Sequence, residues 1–288
     1  MSKPLIGVLG GSGLYQMEGL SDIKHHDIDT PFGKPSDVII SGLLNGVKVV
    51  FLARHGRGHR YIPSEVPYRA NIYALKSLGV RYLISVSAVG SLREEIRPLD
   101  IILPDQFIDL TKHRNSTFFG EGAVAHISMA QPVCSKLSAL LAEAIEEQHF
   151  VNIKLHQGAT YVCIEGPSFS SRAESLWYRN MGADIIGMTN MPEAKLAREA
   201  QIAYATMALA TDYDCWHPKE AHVTADMAIA NMMKNAEHAQ QVLIKAIKLI
   251  ADTLPDSIAH NALSSGLVTQ PNTMSNNIKE RLDVILRS

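Results

Sequence analysis

The chain has 288 residues, 46% hydrophobic and 19% charged, which is ample for one large core and unlike a disordered or coiled-coil composition. Its 27 Lys plus Arg against 29 Asp plus Glu leave a formal charge of −2, so no basic footprint exists for nucleic acid or an acidic membrane. Cys134, Cys163 and Cys215 lack a C-x-x-C spacing, which argues against a disulfide framework and against zinc, and the lack of a long apolar run or a basic, apolar leader gives the expectation of a cytoplasmic protein.

Residues 5–9 read as a first strand that runs into Gly10-Gly11-Ser12-Gly13, a turn whose successive N–H groups can form a nest for an anion. The turn matches neither the dinucleotide nor the Walker spacing. Residues 37–40 and 47–53 read as strands of a hairpin around Asn45-Gly46. Arg54 and His55 follow at once. A planar guanidinium fork suits phosphate oxygens and histidine can donate one further hydrogen bond, against the alternatives of an exposed basic loop or a His55/His59 metal pair, which has no third ligand nearby. Residues 69–78, stopped by Gly79, read as a helix, and 80–86 as a buried strand ending in Ser87-Ala88-Val89-Gly90. A short strand at 100–103 precedes a long polar and aromatic loop to residue 125, and 135–150 carries apolar residues at helical spacing.

The strand at 159–164 ends at Glu165, before a helix opened by Ser171 with Glu174 in capping-box position. Glu165 has no such structural use and, with Met188, offers a hydroxyl acceptor and an apolar face for a sugar. Residues 184–188 form a further strand. Asn190 and Glu193 fit a second capping box, which leaves Thr189 free to face a ligand. The apolar run 203–210 delivers Asp212 and Asp214 at i and i+2, pointing the same way if the chain stays extended. Thr224 caps a long helix with Met233, Leu243, Ile247 and Ile250 on one stripe, 256–271 reads as loop, and Ile278, Leu282 and Ile285 mark a last short helix that is a candidate lid.

The polar candidates thus follow strands at their carboxyl ends, where open α/β sheets bind ligands. Arginine, histidine, hydroxyls and glycine amides suit a tetrahedral oxyanion without metal. Paired carboxyls suit a purine, accepting from its N–H groups when ionised and returning a proton when protonated. Phosphate beside a nucleoside means phosphorolysis of the glycosidic bond.

GGSGL, DTPFGKPSD, ARHGR, SAVGSLREEI, DQFIDLT, EGPSFSSRAES, GMTNMPEAKLA and ATDYDCW together resemble the methylthioadenosine phosphorylase family of the trimeric purine nucleoside phosphorylase group, over about the first 230 residues. The resemblance implies one α/β domain over residues 1–288 with a phosphorylase/hydrolase-like fold: a twisted mixed β-sheet with a distorted barrel, flanked by helices. It implies a homotrimer with sites near its interfaces, inorganic phosphate as co-substrate, no other cofactor and no metal. Carried onto this sequence, the phosphate site falls on Ser12, Arg54, His55, Ser87, Ala88 and Thr189. The nucleoside site falls on Phe169, Ser170, Met188, Asp212, Asp214 and Ala225, with His126 donated by a neighbouring subunit and Asp212 as proton donor to the base. The implied reaction converts S-methyl-5′-thioadenosine to adenine and 5-methylthioribose 1-phosphate. Alternatives are a methylthioinosine or inosine phosphorylase, a broad adenosine-accepting phosphorylase, a hydrolase, and a binder without turnover. Gly187 and Ala225 stand where some relatives carry larger side chains, which gives the expectation of looser discrimination at the 5′ substituent.

Overall fold

The computed structural model describes residues 5–11, 17–218 and 225–287. In chain order the elements are β1 (Leu5–Gly10), β2 (Leu20–His26), β3 (Ile39–Leu44), β4 (Val47–Ala53), α1 (Tyr68–Ser77), β5 (Val80–Ser91), β6 (Ile101–Asp109) and α2 (Ser135–Glu146). Then come β7 (Leu155–Cys163), α3 (Arg172–Asn180), β8 (Ile185–Gly187), α4 (Asn190–Glu199), β9 (Ala203–Asp212), α5 (Ala225–Thr253), α6 (Ala262–Gly266) and α7 (Asn276–Leu286). The strands make one mixed sheet in the order β2-β3-β4-β1-β5-β8-β7-β6-β9, and β9 returns to pair with β5. That last pairing closes β5, β8, β7, β6 and β9 into a five-stranded barrel, the twisted sheet with a distorted barrel that the motifs imply.

The sequence of β9, AYATMALATD, shows why it sits at the centre. Tyr204, Ala208 and Ala210 face one core while Ala203, Ala205, Met207 and Leu209 face the other, the period-2 alternation of a strand covered on both sides. The first core takes Ile72 and Leu75 from α1, Leu196 and Ala197 from α4, and Leu282 and Ile285 from α7. The second takes Leu137 and Leu141 from α2 and Leu243 and Ile247 from α5. Each such side chain contributes about 1.5–3 kcal/mol of burial. The small residues of β9 let α2, α4 and α5 pack closely on its faces.

Several elements depart from the sequence reading. β5 runs on through Ser91, so Ser87 and Ala88 lie within a strand and not beyond its end. β6 extends to Asp109, shortening the expected loop. β2 is an edge strand whose SDIKHH face is solvated, which hides it from any apolar pattern. Met233 is 69% exposed, so the buried stripe of α5 is made by Ala239, Val242, Leu243, Ala246, Ile247 and Ile250. The region 256–271 is not plain loop, since it holds a 3-10 turn at Ile258–Asn261 and the short α6. α7 is seated against α1, with Leu282 and Ile285 fully buried in the main core. The Asn45-Gly46 hairpin stands as read, both residues having positive φ, 50° and 82°. Thr224 lies outside the described residues. Among the described residues no helix is long and apolar enough to cross a membrane.

Candidate active site

The site begins with a gap in the sheet. Along one edge, β5 pairs with β9 from Tyr82 to Gly90. Along the other, β1 accompanies it only to Ser85, opposite Leu9, and β8 takes over at Gly90, opposite Ile186. Among the described residues, 86–89 therefore have no strand partner on that edge. β1 is parallel to β5 and β8 antiparallel, so both approach the gap with their carboxyl ends, from opposite directions. β1 at Gly10 and β8 at Gly187 thus end on either side of Ser87 and Ala88. This corrects the picture of carboxyl ends along one edge of a parallel sheet: the candidates meet because two strands of opposite sense stop at the same place. Unpaired backbone groups of a strand need partners, and a notch of this kind is suited to a small polar ligand.

Arg54, the first residue after β4, lines the notch but is not a free cation. Its Nε donates to Glu193 Oε2 at 2.6 Å, and its Nη2 is shared among Glu193 Oε1, Ser85 Oγ and Leu9 O at 2.7–3.1 Å. One Nη1 hydrogen goes to Val86 O at 3.0 Å, a carbonyl of the notch itself. Of the five N–H donors of a guanidinium, one on Nη1 has no partner among the described residues and can serve a ligand. Burial works against the charge, but Glu193 outweighs it and holds the guanidinium above its ordinary pKa. Glu193 also accepts from Ser85 Oγ and Tyr204 Oη. The second capping box is therefore absent: Glu193 points into the core, and Asn190 donates to Tyr204 Oη and Thr206 Oγ1 instead of capping α4. The sequence pattern was right in spacing, but a buried arginine is a stronger partner for a carboxylate than a helix amide.

The His55 ring stacks on His59, with centroids 4.2 Å apart, and its Nδ1 lies 2.9 Å from the carbonyl of Tyr61. A carbonyl only accepts, so Nδ1 carries the proton and Nε2 of the neutral ring is an acceptor. The hydrogen bond that histidine was expected to donate to a ligand is spent on Tyr61. Burial brings the imidazolium pKa down to about 4, with Arg54 adding to the effect. A folded pKa below the unfolded value means that protons bind the unfolded chain preferentially, so stability falls as the pH drops through 6.5 and the loss is complete below about 4. Replacing His55 with Gln should remove up to about 3 kcal/mol from the difference in unfolding free energy between pH 7 and pH 4. Equal acid sensitivity in the variant and the parent by urea titration would refute this.

At the end of β9, Asp212 Oδ2 accepts from Thr211 Oγ1 at 2.6 Å and Oδ1 from the backbone N–H of Asp214 at 2.8 Å. Gly90, opposite Asp212, leaves the room: a Cβ there would lie 3.0 Å from Asp212 Oδ1. Asp214 is not on the same extended face. Its φ of 50° puts it in a turn, and it is coupled to Asp212 through that N–H. Its Oδ2 is buried without a well-formed hydrogen bond, although Ser175 lies close. Burial raises the pKa of both carboxyls, so each leans toward its protonated, donor-bearing form. The Ser170 carbonyl accepts from Cys215 Sγ at 3.2 Å, which ties the loop before α3 to this turn. The Ser171/Glu174 capping box is present as read.

Glu165 does have a structural use, contrary to the sequence reading. It accepts from the backbone N–H groups of Lys112 and His113 and from Arg114 Nε. Arg114 was not singled out from sequence, yet its buried guanidinium donates to the carbonyls of Ile164, Glu165, Met188 and Met191. It pins the loop carrying Phe169 and Ser170 to the one carrying Met188 and Thr189. Phe169 is 52% exposed, Thr189 is buried, and Met188 Sδ fills the space where Gly166 lacks a Cβ. His126 is exposed, its N–H on Gly266 O, in a strip shared with the C-terminal segment. Ser12 and the side chain of Ala225 lie outside the described residues. Among the described residues no cluster of His, Cys, Asp or Glu is arranged to hold a metal.

Residues 5–248 match the family model described as Phosphorylase superfamily. The chain belongs to the phosphorylase superfamily. Within it, this phosphorylase is 56% identical to the S-methyl-5′-thioadenosine phosphorylase of Synechocystis, over 98% of this chain and 86% of that protein. It is 53% identical to the one of Geobacter sulfurreducens, over 99% of both. A crystal structure of a methylthioadenosine phosphorylase from an Antarctic soil metagenomic library superposes on the phosphorylase with a TM-score of 0.96 at 61% identity, covering all of both chains. The adenosine/methylthioadenosine phosphorylase of Schistosoma mansoni, in a mutant form with adenine bound, superposes at 0.83 with 34% identity, covering 99% of this chain and 98% of that one.

Proposed function

We propose that the protein catalyses phosphorolysis of S-methyl-5′-thioadenosine, giving adenine and 5-methylthioribose 1-phosphate. The observation that carries the reading is the pairing of two features around β5: a notch at residues 86–89, unladdered on one edge and carrying the Ser87 hydroxyl, and, across the strand, two carboxyls whose pKa burial raises. Phosphate in the notch, met by Ser87, Thr189, backbone N–H groups and the remaining Arg54 N–H, attacks the anomeric carbon. The bond from that carbon to adenine breaks with its electrons going to the base, the new carbon–oxygen bond forms to phosphate, and Asp212 gives the departing base a proton. Positioning and electrostatics carry the rate, with no covalent enzyme intermediate.

The nucleoside residues are Phe169, Ser170, Met188, Asp212 and Asp214, with Ala225 toward the 5′ group. The exposed Phe169 and His126 fit a homotrimer in which His126 of one subunit closes the site of the next. A looser 5′ pocket through Gly187 loses its support, because the space there is already filled by Tyr161: a Cβ on Gly187 would fall 1.9 Å from the tyrosine hydroxyl.

Chromatographic product analysis with S-methyl-5′-thioadenosine, adenosine and methylthioinosine, each with and without phosphate, tests the reading. Adenine and a sugar 1-phosphate should form from the methylthio compound only when phosphate is present. Free methylthioribose without phosphate would make the protein a hydrolase, and preferred cleavage of methylthioinosine would make it a 6-oxopurine enzyme. Binding with no turnover of any of the three would leave a binder.

A further inference from the structure

Tyr161 lies in the middle of β7, and its backbone neighbour across the ladder is Ile185 of β8. Its side chain does not stop there. The sheet order is β5-β8-β7, and the ring crosses β8 at Gly187, the one residue of that strand without a side chain, to bring its hydroxyl 3.3 Å from Ser87 Oγ on β5. The fit at the crossing is close: a Cβ on Gly187 would lie 1.9 Å from the tyrosine oxygen and 2.6 Å from the ring carbon that bears it. The backbone N–H of Thr189 bears on the same oxygen. Tyr161 is fully buried, packed edge-on against Phe107 with centroids 5.6 Å apart. A phenol so placed is in contact with groups on both sides of the notch, Ser87 from the β5 edge and Thr189 from the chain leaving β8.

We propose that Tyr161 is a positioning residue for the oxyanion, acting through Ser87: its hydroxyl accepts from the Thr189 N–H and donates to Ser87 Oγ, which leaves the serine proton directed into the notch. The inference rests on the phosphorolysis reading and extends it to a residue outside the family motifs. Burial keeps the phenol protonated, since desolvation raises its pKa well above the ordinary value. A phenol has one hydrogen to give. Once that hydrogen is on Ser87 Oγ, the serine has one of its own to place, and the acceptor that the described residues offer it is the Ala88 carbonyl at a poor 3.4 Å. An anion in the notch is the better acceptor, and donors chained in one direction strengthen each other. Gly187 is part of the same device, because any side chain there would displace the ring.

Tyr161→Phe keeps the ring and removes only the oxygen. Calorimetric titration with inorganic phosphate should give a dissociation constant raised about three- to tenfold, and the phosphate KM should rise in parallel, as expected for one orienting hydrogen bond. The KM for S-methyl-5′-thioadenosine should stay close to that of the parent, and the melting temperature should fall only by the modest amount expected for leaving the Thr189 N–H without its acceptor. The action through Ser87 is read from a double-mutant cycle: in a Ser87→Ala background the further change Tyr161→Phe should have almost no effect on phosphate binding. Unchanged phosphate affinity in Tyr161→Phe, or an effect that persists undiminished without the serine hydroxyl, overturns the inference and leaves the function untouched. If the parent releases adenine without regard to phosphate, the functional reading falls first and this inference with it.

Discussion

Replacing Asp212 with Asn should lower kcat/KM for S-methyl-5′-thioadenosine by about 10²–10⁴-fold, the usual worth of a positioned general acid, while the protein stays at least as stable at neutral pH. The carboxyl and the amide have nearly the same shape: an amide oxygen can still accept from the Asp214 N–H, while the amide nitrogen, in place of Oδ2, donates to Thr211 Oγ1, whose own hydrogen has the Val89 carbonyl as acceptor. What the amide lacks is a proton that it can surrender to the base. Because burial raises the Asp212 pKa, the folded state favours the protonated form, and the stability this group contributes is present at low pH and lost as the pH rises through its folded pKa. The amide has no such loss, so a fall in activity cannot be traced to unfolding. The pH profile follows from the same shift. The parent's kcat/KM should decline on the alkaline side as the donor ionises, with an apparent pKa that belongs to the Asp212–Asp214 pair, whereas the variant should lose that limb. Steady-state rates across pH, with melting curves on the same samples, give both readings. A variant with full activity on the adenine nucleoside, or a profile unchanged in shape, would remove Asp212 from the proton-donor role.

How far the sequence could be read depends on whether a residue's partner was local. The Asn45-Gly46 hairpin, the Ser171/Glu174 cap and the apolar run of β9 are settled within a few residues, and each was legible as hairpin, cap and buried strand. Glu193 had a local explanation that was wrong, because its partner, Arg54, is 139 residues away. Glu165 had no local explanation and looked functional, because Arg114 and the two amides that hold it come from a loop about 50 residues earlier. Tyr161 reads as an ordinary apolar strand residue. Only the strand order places β8 between it and Ser87 and shows why Gly187 must be small. The two carboxyls of β9 were found from spacing, although through a geometry the turn at Asp214 does not adopt. What made them recognisable was chemical type at a strand's end, and that survives an error in backbone conformation.

Substitution of Arg54 by Met should cost about 3–5 kcal/mol of folding stability, more than any phosphate contact would lead one to expect, because it strands Glu193 in the core. The two side chains are 3% and 0% exposed, and the carboxylate would keep only Ser85 Oγ and Tyr204 Oη as donors. Urea titration with the folding baseline checked by circular dichroism measures the loss. A companion change separates the structural part from the catalytic one. Arg54→Met with Glu193→Gln removes the stranded charge while keeping an acceptor for Ser85 and Tyr204, so the double variant should regain a substantial part of the stability. Its phosphate affinity should stay low, since the Nη1 group at Val86 O is gone from the edge of the notch in both variants. Were the double variant to recover phosphate binding along with stability, Arg54 would be a pillar of the fold alone and the oxyanion would rest on Ser87, Thr189 and the backbone. Were the single variant as stable as the parent, the buried pair would not carry the load its geometry assigns to it, and the guanidinium would be free to serve the ligand, as the sequence suggested.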